Sequence, residues 1–334
     1  MIITVDPNGN GDCTTVQAAV DMIAPGEHEP NVIRVMPGTY REKVVVDRDN
    51  IVIAGTDRDA TVLVWNGCAM DPDENGNPKG TFLSYTMLIT GRNVTVENIT
   101  VANDAGDGRN VGQAIAVYAS GDRGIFRNVR MQAHQDTLYC GPVNEPVCRD
   151  ALPRRIFPQT EQANLGNSPE TYGRLYFEHC LIAGDVDFIF GSYRCWFEAC
   201  ELFMNSRGGW YTAANTPEKQ KYGFVFSRCL LTGACEAGAG SLGRPWRAFA
   251  RTVFLNCGMD EHVSPAGFSD WAGGAGVTER YGEYGSTGAG ACAETRHPAQ
   301  KRITAEEASR YSVYEVLGGY DEWDPGAERR VWKV

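Results

Sequence analysis

Six segments of this chain share one six-residue register: residues 94–99 (VTVENI), 124–129 (GIFRNV), 175–180 (LYFEHC), 195–200 (CWFEAC), 224–229 (FVFSRC) and 252–257 (TVFLNC). Aligned this way, Val96, Phe126, Phe177, Phe197, Phe226 and Phe254 are equivalent, and so are Ile99, Val129, Cys180, Cys200, Cys229 and Cys257. Short β-rich runs between Gly, Asn and Asp turns, repeated with equivalent apolar residues, mark a solenoid. A single coil cannot bury its own apolar face, but stacked coils make one continuous core. Stacking at the inter-strand spacing of ~4.8 Å turns the Phe column and the Ile/Val/Cys column into internal ladders. The expected architecture is all-β, a right-handed single-stranded parallel β-helix. It also explains four cysteines as small buried hydrophobes, reduced and in the core.

The ends carry a different signal. Helical patterning covers only residues 15–23, 217–222 and 305–316, the last after the Thr304 cap. The first of these predicts a short helix capping the open end of the solenoid. From residue 261 to 334 the period is lost and Gly, Trp and Tyr accumulate, which predicts an irregular tail packed on the wall. Residues 139–172 are rich in Pro and polar residues and read as a long inserted loop. The whole chain, 1–334, is expected to be one domain.

Composition narrows the partners. A net charge of −11 disfavours nucleic acid and anionic membranes, and it disfavours a polyanionic substrate unless basic groups gather at the site. The longest apolar runs fall short of a membrane span, and the first residues lack the basic and apolar regions of a secretory leader. With Met1 as the true start, the expectation is a cytoplasmic protein, or a secreted one if a leader was trimmed. The odd count of 11 cysteines fits a reducing compartment, although Cys140 and Cys148 could pair in an exported protein.

The repeat also brings chemistry together. Asp136 lies eight residues after Asn128 and Asp187 eight after His179, and Asn128 and His179 are equivalent positions. Like turns on adjacent coils would set the two aspartates side by side, about 5 Å apart. Paired carboxylates rarely both ionise, so one holds a proton while the other is free to act as base or nucleophile. A lone Asp more often caps a turn, and it is the pairing in register that favours chemistry. Gln113 and Gln135 offer amide donors for a developing oxyanion. Arg244 can clamp a carboxylate, and Trp246 beside it can pack on a sugar face or merely staple the loop through a cation–π contact.

The segments GTYREKV (38–44), GQAIAV (112–117), QDTLY (135–139), GDVDFIFG (184–191), LGRPW (242–246) and YGEYGSTGAGA (281–291) resemble, in this order, the signature segments of the pectin methylesterases. The resemblance implies Asp187 as nucleophile, Asp136 as acid/base, Gln113 and Gln135 as oxyanion donors, and Arg244 as the residue orienting the nucleophile. It implies substrate contacts from Trp246, Phe188 and Tyr139, and neither metal nor organic cofactor. The implied reaction is hydrolysis of the C6 methyl ester of methyl-galacturonate in pectin or oligogalacturonides, by a monomer, with no nucleic-acid or membrane partner. A bacterial source is the expectation. Two features depart from the pattern: His134 stands where an aromatic is common in plant members, and the 139–172 loop is long. Pectate lyase and polygalacturonase chemistry would need clustered or differently spaced carboxylates. An acyl thioesterase and a non-catalytic glycan binder are further alternatives. The polar, Trp-bearing site and the Asp pair weigh against them.

Overall fold

The computed structural model describes residues 1–143, 173–271 and 280–327. The central coils each contribute one strand to each of three parallel sheets, which among the described residues hold eleven, eight and seven strands. One coil, for example, runs through Gly124–Arg127, Arg130–Gln132 and Leu138–Cys140, and the next described coil through Arg174–Glu178, Leu181–Gly184 and Ile189–Gly191. The result is the parallel β-helix expected from the repeat.

The register is the one the sequence implies. Phe126 pairs with Phe177, Phe177 with Phe197, Phe197 with Phe226, and Phe226 with Phe254. Their rings stack nearly parallel, with centroids 4.8, 4.4, 4.4 and 4.7 Å apart. Each buried ring contributes about 1.5–3 kcal/mol by leaving water, and each ring pair about 0.5–1.5 kcal/mol more. The fifth position of the repeat (Asn98, Asn128, His179, Ala199, Arg228, Asn256) is left-handed in every coil, with φ between 48° and 53°. This residue turns the corner from the first sheet to the second. The sixth position then points inward, so Cys180, Cys200, Cys229 and Cys257 are buried free thiols. The Cys229 and Cys257 thiols donate to the carbonyls of Phe197 and Phe226.

The N-terminal end is closed by a helix. Val16–Asp21 is capped by the Thr15 side chain and by Glu42, whose carboxylate accepts from the backbone N–H groups of Val16 and Gln17. Its buried Val16, Ala19 and Val20 join the core. At the other end the period persists further than the sequence suggests. Arg280–Tyr284 and Gln300–Arg302 add two more parallel strands to the longest sheet. The remaining tail lies on the wall. The buried Arg174 guanidinium ties it there through Asp122, Asp321 and the carbonyls of Leu317 and Gly318.

Three local expectations need correction. Residues 217–222 form a turn, not a helix. Arg280 takes the carbonyls of Pro217, Glu218 and Gln220, and the Gln220 amide takes that of Tyr222. The helix expected over 305–316 is two short ones, Ala305–Ser309 and Val313–Leu317, because Ser312 starts a new cap on Glu315 N–H. The loop expected from residue 139 begins later, since Tyr139 and Cys140 are strand residues. Residues 144–172, with Cys148, lie outside the described residues. Cys140 itself is a buried free thiol. Among the described residues no helix is long and apolar enough to cross a membrane.

Phe197 stacks on rings both above and below it. Phe197→Ala should therefore cost about 3–5 kcal/mol. Urea unfolding of the purified variant checks this, and a midpoint equal to wild type would contradict the ladder.

Candidate active site

The seven-stranded sheet carries the cleft. At its entrance three coils stack so that Ala114 N–H donates to Gln135 O at 3.1 Å and Asp136 N–H donates to Val186 O at 3.0 Å. Both Asp136 and Asp187 are left-handed, with φ of 67° and 51°. Equivalent residues thus make equivalent corner turns on successive coils, and both carboxylates face the same cleft. Gln113, Gln135, Asp136, Asp187 and Arg244 all line it, together with Trp246, Phe190 and Trp271, around a volume of about 240 Å³. Among the described residues neither Gln side-chain amide is engaged by another protein group.

The two carboxylates sit in unequal environments. Arg244 lies in the seven-stranded sheet two strands beyond Phe190, with Ala213 between those two. From there its guanidinium reaches back to Asp187. Nε donates to one carboxylate oxygen at 2.8 Å and Nη2 to the other at 2.7 Å. Such a two-pronged, charge-assisted contact favours the ionised acid. Burial raises the Asp187 carboxyl above its ordinary range, and Arg244 opposes that rise. Asp136 is buried with no such clamp. Burial pushes it well above the ordinary carboxylate range, the Asp187 charge pushes it further, and Arg244 opposes only from a distance. Burial and the neighbouring charge therefore favour the proton on Asp136, while the clamp favours the charge on Asp187.

Arg244 is itself held by groups that motif reading does not single out. Its guanidinium lies between two indoles, 3.8 Å from the Trp210 centroid and 4.3 Å from that of Trp271. Trp210 is fixed by its Nε1–H donating to Ser269 Oγ at 2.7 Å. Trp210 follows Asp187 by 23 residues, about one coil, so extending the register would have found it. Trp271 belongs to the aperiodic tail, where no repeat signal exists. The cation–π partner of Arg244 is thus not Trp246, whose ring lies under Arg247 and edge-on to Phe190.

Two expected substrate contacts are displaced. Phe188 is fully buried inside the solenoid, against Tyr211, because the left-handed turn at Asp187 swings the next side chain into the corner. Tyr139 faces outward but is covered by Phe82, Tyr118 and Phe190, and it supports the cleft from behind. In the column of Tyr139, Phe190 and Ala213, the cleft is lined by Phe190 and Ala213 and not by Tyr139.

Beside the cleft, His134 Nδ1 contacts Asp185 Oδ2 at 2.9 Å, and Asp185 is fully buried. The hydrogen bond to Asp185 raises the His134 pKa above 6.5, burial opposes, and the Asp107 charge adds to the rise while Arg207 lowers it. The pair's contribution to stability is full below pH 6.5 and is lost as pH climbs through the raised value. Histidine NMR titration should show His134 above the ordinary value, and Asp185→Asn should lower it. An unchanged His134 titration in that variant would contradict the pairing.

The fold and the facing carboxylates define the class first: an enzyme built on the wall of a parallel β-helix. The family model described as Pectinesterase matches residues 2–143 and 170–320. Arabidopsis thaliana Pectinesterase 31 is 31% identical over 319 residues, covering 93% of this chain and 90% of its own. Putative pectinesterase 11 of the same plant is 30% identical, covering 96% and 80%. Among solved structures, pectin methylesterase from carrot superposes with a TM-score of 0.79 at 28% identity, covering 95% of this chain and 93% of its own. The pectin methylesterase of Erwinia chrysanthemi does so with a TM-score of 0.78 at 26% identity, covering 97% of each. The chain belongs to the pectinesterase family and is an esterase. These two curated relatives are plant proteins and give no support to a bacterial source.

Carbon-13 NMR of the aspartate carboxyls tests the division of charge. Asp136 should titrate at higher pH than Asp187, and Arg244→Gln should move Asp187 upward by removing its clamp. An Asp187 titration indifferent to Arg244 would contradict the account.

Proposed function

We propose that this protein hydrolyses the C6 methyl ester of methyl-galacturonate units in pectin or oligogalacturonides and releases methanol. One observation carries the reading: Asp187 is clamped and charged by Arg244, while its neighbour Asp136 is buried without a clamp. Similar proteins support the substrate class, since two solved relatives are pectin methylesterases in complex with hexasaccharides.

In this mechanism an Asp187 oxygen attacks the ester carbonyl carbon. The resulting oxyanion accepts hydrogen bonds from the Gln113 and Gln135 amides. Collapse of the tetrahedral species breaks the bond to methoxide, and Asp136 supplies the proton that makes methanol. An anhydride between Asp187 and the galacturonate carboxyl remains. Asp136, now ionised, takes a proton from water as that water attacks the acyl carbon. The second tetrahedral species releases galacturonate and restores Asp187 to the Arg244 clamp. Ester plus water thus becomes acid plus methanol. Trp246 and Phe190 flank the cleft and offer aromatic faces to the sugar. The catalytic set is complete within one chain, which suits action as a monomer.

Asp187→Asn should abolish methanol release from methylated pectin while the far-ultraviolet spectrum stays that of wild type. Gln135→Ala should lower kcat about 10²–10³-fold, the usual cost of losing one oxyanion donor. Methanol should appear without new reducing ends. Near-normal methanol release by Asp187→Asn, or new reducing ends in its place, would overturn the reading.

A further inference from the structure

The outer face of the longest sheet holds a second cavity, of about 420 Å³, between the strands carrying Arg251 and Arg280 and the C-terminal helices. Sites for small molecules generally span about 300–1,000 Å³. This wall is a different one from the seven-stranded sheet that bears the cleft. The cavity is rich in cations, which is unexpected for a chain of net charge −11. Arg251 is half-buried, yet among the described residues its guanidinium meets no carboxylate and no carbonyl. Arg280 stands beside it, its amino groups held by the carbonyls of Pro217, Glu218, Gln220 and Phe249. Burial disfavours the charge on each, and the proximity of Arg251 disfavours that of Arg280 further. Among the described residues the one carboxylate lining the cavity, Glu307, is already committed to Lys301 and to the Thr304 cap.

A half-buried guanidinium with no counter-charge is a cost that folding alone does not explain. A carboxylate would remove it, because a guanidinium fork matches a carboxylate with two parallel hydrogen bonds. The rings of Tyr222 and Tyr311 meet edge to face at 5.7 Å beside the arginines and give the cavity an aromatic side. Charge below and aromatic surface beside it suit an acidic sugar better than a bare ion. We propose that this cavity is a second binding site, specific for a carboxylate, and that its occupant is a uronate residue of demethylated substrate. The carboxylate site stands on the geometry alone. The uronate as its source rests on the function proposed above.

Isothermal titration tests both parts. The proteins are wild type and Arg251→Gln, with Arg310→Gln at the cavity rim as a second variant. The probes are digalacturonate, the galactobiose of the same linkage, and citrate. The cleft offers digalacturonate another place, so the event that depends on Arg251 is the informative one. Wild type should show that event with digalacturonate, and Arg251→Gln should weaken it about 10- to 100-fold, the cost of losing hydrogen bonds to a charged group. Arg310→Gln should weaken it less, and galactobiose should not show it. Methanol release should be unchanged in Arg251→Gln, and its melting temperature should not fall, because the charge removed is unpaired. Citrate taking the Arg251-dependent event while digalacturonate does not would overturn the uronate assignment. Identical isotherms in wild type and both variants, for every probe, would overturn the site. Absent methanol release from wild type with Arg251-dependent binding intact would count against the proposed function and not against this cavity.

Discussion

In-register parallel pairing between successive coils fixes where each side chain of this protein can go. A strand added to a parallel sheet sits one inter-strand spacing from its neighbour, so equivalent residues must touch. The same constraint has two outcomes. Inside, it stacks Phe126, Phe177, Phe197, Phe226 and Phe254 into one column. Outside, at the corner leading into the seven-stranded sheet, it sets Asp187 beside Asp136. Apolar groups gain from that proximity and like charges lose. The core and the cleft are therefore opposite consequences of one geometry.

The molecule resolves the loss by treating its two acids differently. Asp187 receives Arg244, and Arg244 is braced between Trp210 and Trp271. Asp136 receives burial and the Asp187 charge, and both favour its protonated form. The left-handed backbone at both aspartates belongs to the same solution, since it points both carboxyls outward while sending Phe188 into the core. Non-glycine residues in this conformation are uncommon, and Asp is among those that tolerate it.

How much of this was legible in the sequence depended on whether a residue obeyed the repeat. The Phe and Cys columns and the Asp pair recur at fixed offsets, and reading the register was enough to place them. Phe188 failed because simple adjacency to Asp187 says nothing about a corner that reverses which side the next residue faces. Tyr139 failed because Phe82, which covers it, comes from a distant loop segment. Trp271 lies between two coils, and in Arg280–Tyr284 and Gln300–Arg302 the coil length persists but Glu283 and Arg302 stand where the Phe column would continue, so the apolar pattern no longer announces the pairing. The basic groups that an acidic chain would need at a polyanion site were anticipated only as Arg244. The cluster around Arg251 arises from residues some 90 positions apart, and no local pattern marks it.

Neutron diffraction from a deuterium-exchanged crystal at neutral pH tests the central claim most directly, because it locates the protons themselves. The account predicts a deuteron on a carboxyl oxygen of Asp136, none on Asp187, and two deuterons bridging Arg244 to Asp187. A deuteron on Asp187, or two bare carboxylates facing each other, would contradict it.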